Sequence, residues 1–459
     1  MVFFSFLCSI IATFFEPFFK LMPYHVDSWI VLSSRIIEGG TAIFGNVNPN
    51  YPPGSHTFFY TLATTAGINP LIMRSIFLFI TFILIAILIY SISKRLFNNK
   101  TLSITTALFS FLILTNITIL GPKYLVPITF AIPLALTFLY LILEERWWLS
   151  FLIFIPLVLT HATTTGFTLI LVFLYFLFSK EHRTKIPYIL GLIILAILGF
   201  LLTRGAEQLI ARLSSLVVFS KAAPYYFIQN MYGWVFFALI AIGLLLILIK
   251  EDKAKRFLTP IFIFMAFDMF LYWQASGFFI VYRRLLFFLT FLSPFFIGYS
   301  VYWIAEYTEN ILSKIKVLKW IKVVPVILII FLIILVPYAI SINNAQFARS
   351  YVYVNENENK LFATFGKEHP GEYLIAHGLM GYALPYYKLQ PVSLAPMHGF
   401  NRLHYSELEK IYITGNLPKV KEFMQRYNYQ YITVRTNLTD SDYKIAYEQG
   451  DSKIYKLTS

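Results

Sequence analysis

Long apolar runs recur along this sequence and constrain its fold more than any other feature. Each run approaches the ~20 residues that an α-helix needs to cross a ~30 Å hydrocarbon core, and together they predict about eleven spans. Inside a bilayer the backbone must satisfy its own hydrogen bonds, so these spans are expected to be helices. Charged residues make up only 13% of the chain, about half the usual share of a soluble domain. The predicted spans are residues 2–19, 71–93, 102–120, 124–143, 147–161, 164–179, 186–203, 231–249, 257–275, 285–304 and 323–341.

The composition changes after the last apolar run, at Asn343-Asn344. The expected fold is therefore a polytopic α-helical membrane domain over residues 1–344, followed by a small α/β domain over residues 345–459. Alternating apolar residues predict strands in that domain, and amphipathic spacing predicts helices. The predicted strands are 372–376, 390–394, 429–434 and 453–457, and the predicted helices are 356–365, 404–411 and 418–427.

Lysine and arginine are concentrated in one alternate set of short connections, which predicts that this set is cytoplasmic. The first run is expected to be a retained helix, since no small-residue cleavage site follows it. The N-terminus is then inside, and the C-terminal domain lies outside the plasma membrane. This topology also accounts for the net charge of +14, so nucleic acid is not an expected partner. The basic connections are 94–100, 146, 180–185, 250–256 and 314–322.

Acidic residues are scarce on the predicted outer side, and Asp27 is the best placed of them. It lies just beyond the first apolar run and before a probable helix over 28–38, which Gly39-Gly40 ends. One interpretation is a helix N-cap, where an aspartate is a preferred residue. The other interpretation is that its carboxylate takes part in a reaction at the outer face. Outside the C-terminal domain, the acids on this side or within the membrane are Glu16, Asp27, Glu38, Glu207 and Asp268.

The first external loop, 20–70, contains an ordered set of motifs. Asp27 is followed by Arg35-Ile36-Ile37-Glu38-Gly39 and then by Pro52-Pro53. Over about residues 20–75 this order resembles the first external loop of the GT-C superfamily of membrane glycosyltransferases. The resemblance is strongest to the branch that contains protein O-mannosyltransferases and the lipid A aminoarabinose transferase. In that family the acid at the start of the loop is catalytic, so the resemblance implies that role for Asp27.

The resemblance also implies the reaction and its partners. A sugar, hexose or pentose, would pass from a polyprenyl-phosphate-linked donor to a hydroxyl of a glycan, lipid or protein acceptor, with inversion by single displacement. Asp27 would accept the hydroxyl proton. The Trp-Trp-Asp-Tyr-Gly motif of oligosaccharyltransferases is missing from the sequence, which favours transfer of a single sugar. Many family members carry two adjacent acids where this chain has His25-Val26-Asp27, so metal use stays open, with His25, Asp27 and His56 as candidate ligands of a divalent ion.

Cations near the predicted outer ends of spans are candidates to bind the donor phosphate, since arginine and lysine are its natural ligands. Interfacial snorkelling is the alternative explanation for each of them. These candidates are Lys123, Arg204, Arg212, Arg283 and Arg284.

Further polar residues are expected to line the site. His161 lies where a Thr-rich turn interrupts a long apolar stretch, and Asp268 lies in a predicted span, where an ionisable residue is functional by default. Ordinary packing or hydrogen bonding is the alternative for both. The complete lining set is Glu38, Tyr51, His56, His161 and Asp268.

Two other functions fit a polytopic membrane protein. A transporter or flippase of a lipid-linked sugar would be expected to contain internal repeats, and none is evident. A glycan polymerase or ligase would favour a large external loop rich in arginine and histidine, but the 204–230 loop contains no histidine. The C-terminal domain has no nucleophile elbow, P-loop or dinucleotide fingerprint.

Overall fold

The structure is a computed structural model, and it divides into two compact units. One is built from residues 76–347, and the other contains residues 348–459. Each unit is described separately. The structure describes residues 65–67, 70–110, 127–204, 217–218, 228–250, 252–273, 277–278, 282–314, 323–345, 356–376, 384–393, 417–434, 438 and 440–458.

The first unit is helical. A short 3₁₀ helix, Lys180–Lys185, connects α5 to α6, and a two-residue ladder pairs β1 with β2 in antiparallel register. Its elements are α1 Pro70–Phe97, α2 Lys100–Phe109, α3 Pro127–Leu143, α4 Trp147–Thr160, α5 Ala162–Phe178, α6 Ile186–Arg204, β1 Val217–Val218, α7 Ile228–Lys250, α8 Asp252–Trp273, β2 Gly277–Phe278, α9 Tyr282–Leu312 and α10 Val323–Ala345.

Several of these helices are long and apolar enough to cross a bilayer, so the chain is an integral membrane protein. Within the described residues, four stretches meet both conditions: Phe79–Phe97, Lys180–Gly199, Gly233–Lys250 and Phe287–Leu312. Shorter apolar helices cover Ile128–Leu143, Trp147–Thr160, Ala162–Phe178 and Val324–Leu335. The predicted spans from 71 onward fall on helices where the structure describes them, but α2 and α8, which match the spans 102–120 and 257–275, are not among these apolar stretches. The span 2–19 and the second half of 102–120 lie outside the described residues.

Helix α9 is the central element of the helical unit. Its apolar stretch is 83% buried, against 11% for the stretch that contains α6. Glycines allow two neighbours to approach it closely: a Cβ at Gly243 of α7 would lie 2.0 Å from the Phe296 carbonyl oxygen, and one at Gly298 would lie 2.7 Å from Thr106 Cα of α2. Small residues at such crossings are typical of helices packed within membranes.

The second unit contains a five-stranded mixed sheet between helices. The strands are β3 Tyr373–Ala376, β4 Gln390–Ser393, β5 Tyr431–Val434, β6 Tyr443–Gln449 and β7 Ser452–Leu457, in the order β4-β3-β5-β7-β6. Strand β3 is parallel to β4 and β5, whereas β7 is antiparallel to β5 and β6. The helices of this unit are α11 Glu356–Glu368 and α12 Leu417–Arg426, with a 3₁₀ helix over Leu384–Tyr387.

Successive side chains of β3 point to opposite faces of the sheet, so each face is covered by a different helix. Leu374 and Ala376 belong to the same buried cluster as Phe362 and Phe365 of α11. Ile375 belongs instead to a cluster with Phe423 of α12. The four predicted strands are present within one or two residues of their expected ends, as is the predicted helix at 418–427, while the helix predicted at 356–365 continues three residues further, to Glu368. Strand β6 was not predicted, and the predicted helix at 404–411 lies outside the described residues.

Candidate functional site

Polar contacts gather one set of helix ends at a single face of the helical unit, here called the charged face. Arg95 Nε at the end of α1 lies 3.4 Å from Glu144 Oε1, after α3. Arg256 in the first turn of α8 lies 4.0 Å from Glu181, in the α5–α6 connection. Asn99, before α2, donates to the Tyr302 hydroxyl of α9 at 2.9 Å. Because these elements alternate in direction, the junction between α4 and α5 and the start of α9 lie at the opposite face.

A one-residue break at the opposite face joins α4 to α5, and His161 forms it. Its backbone is extended (φ −159°, ψ 101°), and its amide still donates to the Leu157 carbonyl oxygen at 3.1 Å. Its side chain caps the next helix, since Nδ1 accepts from the Thr164 amide at 3.1 Å. Nδ1 can accept only while it carries no proton, so this geometry assigns the neutral tautomer with hydrogen on Nε2.

The turn around His161 is polar yet buried. His161 is 8% exposed, and the neighbouring Thr164 and Thr165 are more deeply buried. The Thr164 hydroxyl lies 2.8 Å from His161 Nδ1. The Thr165 hydroxyl lies 3.1 Å from both the Leu157 and His161 carbonyl oxygens, which ties the end of α4 to the start of α5. These bonds satisfy groups at a helix break that would otherwise be costly to bury.

Asp268 is buried at 2% exposure in α8. It lies five residues before the Trp273 end of the helix, the end at the face that contains His161. Its predicted position at mid-span stays a prediction.

Arg283 and Arg284 lie in the first turn of α9, at the same face. Four residues after Arg284, the Phe288 ring stacks on Phe167 of α5, with centroids 4.0 Å apart and planes 3° apart. The β1–β2 ladder pairs Val217 with Phe278 just before this turn. It therefore brings part of the predicted 204–230 loop to the start of α9.

One other predicted site residue, Arg204, lies in the described part of the chain. Arg204 ends α6, whose first residue follows the charged-face connection, so its backbone is also at the opposite face. The remaining predicted residues lie outside the described part of the chain, and their roles stay predictions. They are His25, Asp27, Glu38, Tyr51, His56, Lys123 and Arg212. Among the residues that the structure describes, no group of three or more His, Cys, Asp or Glu side chains is arranged to hold a metal ion.

In the C-terminal unit, His369, Tyr447 and Glu368 form a hydrogen-bonded group that sequence reasoning missed. His369 Nε2 lies 3.0 Å from the Tyr447 hydroxyl, and that hydroxyl donates to Glu368. The bond to Glu368 is the main reason why the pKa of Tyr447 is raised to about 12. Because the group joins the end of α11 to the edge strand β6 and contains no nucleophile, we interpret it as a structural connection.

Comparison with known proteins identifies the fold. No family model matches the sequence, and no curated protein sequence matches it significantly. The structure is similar to ArnT from Cupriavidus metallidurans, with a TM-score of 0.58 and 11% identity over 99% of this chain and 97% of that one. It is also similar to the oligosaccharyltransferase of Archaeoglobus fulgidus, with a TM-score of 0.62 and 11% identity over 94% of this chain and 69% of that one.

A third similar structure is the arabinofuranosyltransferase AftD from Mycobacteria. The TM-score is 0.53 with 11% identity, over 100% of this chain but only 40% of AftD. All three proteins are GT-C glycosyltransferases. The predicted resemblance to that superfamily is therefore confirmed at the level of the fold.

Proposed function

We propose, from the GT-C fold of this chain, that it is a glycosyltransferase that takes one sugar from a polyprenyl-phosphate-linked donor. The sugar passes to a hydroxyl of a glycan, lipid or protein acceptor at the outer membrane face. The observation that carries the proposal is the match to ArnT, which extends over nearly the full length of both chains. One structure of the Archaeoglobus fulgidus oligosaccharyltransferase, AglB, contains a dolichol-phosphate. This is the class of carrier that we propose here.

The proposed reaction is a single displacement. The acceptor oxygen forms a bond to the anomeric carbon as the bond from that carbon to the phosphate oxygen breaks. The polyprenyl phosphate leaves with the electron pair, and Asp27 accepts the hydroxyl proton. The configuration at the anomeric carbon is inverted. Cations are needed where negative charge develops on the leaving phosphate.

The opposite face of the helical unit is the proposed outer side, and it supplies those cations. Arg204, Arg283 and Arg284 are at helix ends on this face, where a lipid phosphate would lie. Lys123 and Arg212 are proposed for the same role from the sequence. Under this assignment the charged face is cytoplasmic, the chain spans the membrane about eleven times, and residues 345–459 lie outside the cell.

The polar, buried turn at His161 is suited to line the proposed active site. Hydrogen bonds of His161 and Thr165 tie the end of α4 to the start of α5, so the turn supplies a fixed wall. The neutral tautomer of His161 carries its hydrogen on Nε2 and adds no charge to this wall. Glu38, Tyr51, His56 and Asp268 are the other proposed lining residues.

The test is transfer of radiolabelled sugar from polyprenyl-phosphate hexoses and pentoses to host lipid and protein acceptors, with the full chain in membranes. We compare the wild type with Asp27→Asn. Asparagine caps a helix about as well as aspartate does but cannot accept a proton in this way. We therefore expect unchanged thermal stability and loss of transfer. The matched control is Glu16→Gln, another acid near the outer end of the first predicted span, which should transfer normally.

Equal transfer by the wild type and Asp27→Asn would remove Asp27 from the chemistry and leave it a helix cap. Absence of transfer by the wild type with every donor, together with movement of the lipid-linked sugar between leaflets, would favour the flippase alternative. Metal dependence is measured in the same assay by adding a chelator and then restoring divalent ions.

A further inference from the structure

At the charged face, a lysine and three aromatic rings meet where α4 begins, α5 ends and α6 begins. The Trp147 ring of α4 lies edge-on to Phe176 of α5 and to Tyr188 of α6, with centroids 5.8 and 5.5 Å apart. The Lys185 ammonium lies over the same indole, 5.6 Å from its centroid. The Tyr188 hydroxyl donates to the Trp147 carbonyl oxygen at 3.0 Å and lies 2.8 Å from the Ser150 hydroxyl. These contacts join α4 to α6, and we call this place the α4–α6 junction.

Two cations of the junction, Lys185 and Arg146, have no acidic partner within 4 Å among the described residues. The two acids just before Arg146 have other neighbours. Glu144 lies 3.4 Å from an arginine of α1, and Glu145 Oε1 lies 3.6 Å from His182 Nε2. Both cations are exposed. The indole under Lys185 attracts its charge and leaves N–H donors of the ammonium able to bind an anion.

Beyond the junction, the surfaces of α4 and α6 are apolar and exposed. Trp148 is 69% exposed, and its ring stacks on Phe151 with centroids 5.7 Å apart. Leu152 of α4 and Leu190 of α6 are also exposed. Because the chain is an integral membrane protein, lipid chains cover these surfaces. Tryptophan and tyrosine are typical of the level at which lipid headgroups begin, so the junction lies at that level.

Helix α6 has few protein contacts of its own. The apolar stretch that contains it is only 11% buried. Of the side chains that the structure describes on α6, only Ile189 and Leu192 are buried. The hydrogen bonds described between α4 and α6 are both made by Tyr188. A ligand that contacts both helices would therefore add to the stability of this part of the unit.

A lipid with an anionic headgroup complements this arrangement. Lysine and arginine are suited to bind phosphate oxygens, and the exposed apolar surfaces are suited to contact acyl chains. A free phosphate would use only the charges, and an uncharged lipid only the apolar surface. Basic residues at the cytoplasmic end of membrane helices bind anionic headgroups in this way.

We propose that the α4–α6 junction binds an anionic glycerophospholipid of the leaflet at the charged face. Lys185 and Arg146 bind the headgroup phosphate, and the acyl chains lie along α4 and α6. The site is at the opposite end of the helices from the proposed donor-phosphate cations. It is therefore distinct from the proposed active site.

The test is thermal unfolding of the full chain in detergent as lipids are added. Phosphatidylglycerol is the anionic probe, and phosphatidylcholine with the same acyl chains is the uncharged control. We expect phosphatidylglycerol to raise the Tm of the wild type more than phosphatidylcholine does. Lys185→Gln and Arg146→Gln should each weaken phosphatidylglycerol binding about fivefold. Lys185→Arg should retain most of the binding.

The matched control is Lys255→Gln, which removes an exposed lysine from the first turn of α8. This position is also on the charged face but belongs to none of the elements of the junction. Its variant should bind phosphatidylglycerol as the wild type does. Equal stabilisation by the two lipids would overturn the proposal, as would an equal loss of binding in Lys255→Gln and Lys185→Gln.

Brominated acyl chains test where the lipid lies. Phosphatidylglycerol brominated in its chains should quench more tryptophan fluorescence than brominated phosphatidylcholine at the same concentration. Trp148→Phe should remove much of that excess, because its exposed ring lies beside the proposed chains. An unchanged excess in Trp148→Phe would place the lipid elsewhere and overturn the site.

Two further ligands test other occupants. Inorganic phosphate at the same concentration should leave the Tm unchanged, and a rise equal to that with phosphatidylglycerol would make the junction a simple anion site. Polyprenyl phosphate that binds more tightly than phosphatidylglycerol, and loses this advantage in Lys185→Gln, would assign the junction to the carrier instead. These measurements do not depend on sugar transfer, so they decide the lipid site whether or not the proposed function holds.

Discussion

Removing the imidazole of His161 should destabilise the helical unit by a predictable amount. In His161→Ala the Thr164 amide loses its acceptor at 3.1 Å, and the Thr164 hydroxyl loses its partner at 2.8 Å. Loss of an N-cap costs about 0.5–2 kcal/mol, and an unmet donor that stays buried costs about 1–3 kcal/mol. Because the two losses concern the same turn, we expect a combined effect of about 2 kcal/mol rather than their sum.

The matched variant is His161→Asn, since an asparagine oxygen can accept from the same amide. In detergent, the Tm of His161→Ala should fall by several degrees and at most by about 4–8 °C, since each kcal/mol shifts the Tm by roughly 2–4 °C in a domain of about 150–250 residues and by less in a larger one. His161→Asn should retain most of the wild-type Tm. A wild-type Tm for the alanine variant, or an equal fall for both, would refute the capping argument.

Activity distinguishes capping from a direct role in the site. If His161→Asn is stable and transfers sugar at the wild-type rate, the side chain acts only through the turn. If it is stable but loses transfer, the Nε2–H donor contributes to the reaction or to substrate binding, as the sequence predicts for a lining residue.

Two further predictions concern packing and titration. Gly243→Ala should lower the Tm, because its Cβ would lie 2.0 Å from the Phe296 carbonyl oxygen, whereas Gly191→Ala, with nothing within 4 Å of its Cβ, should be neutral or stabilising through helix propensity. Tyr443→Phe should cost little, since its buried hydroxyl lacks a hydrogen-bond partner within the described structure. Burial raises the pKa of Tyr443 from 10.0 to about 12, so its contribution to stability is complete below pH 10 and is lost as the pH rises toward 12. Chemical denaturation across that range should show a smaller decline for Tyr443→Phe.

The helical part of the fold was predictable because burial in lipid leaves a signal that depends only on local composition. Apolar runs marked α1, α3–α8 and α10 within about five residues of their ends, whereas α9 continues eight residues beyond its predicted end, to Leu312. The Thr-rich interruption marked the break at His161. Strand β6 gave no such signal, because it is the edge strand and most of its residues are exposed. Without one buried face there is no period-2 apolar pattern to detect.

The arrangement of the site was less predictable, because it depends on register between helices distant in sequence. Sequence patterns singled out His161 and Asp268 individually, yet nothing in the patterns placed them at one face of the helical unit. That placement follows from the contacts at the charged face and from the directions of α5 and α8.

Helix α9 connects the packing of the unit to the proposed chemistry. It is the most buried of the long apolar helices described, and close approaches at Gly298 and Gly243 pack it tightly against α2 and α7. A group that must meet a leaving phosphate benefits from a rigid support, since a misplaced donor loses most of its effect. The first turn of α9 offers such a support for Arg283 and Arg284, which are proposed to bind the donor phosphate. Replacements along the buried α9 interface should therefore reduce donor use even where they lie far from these arginines.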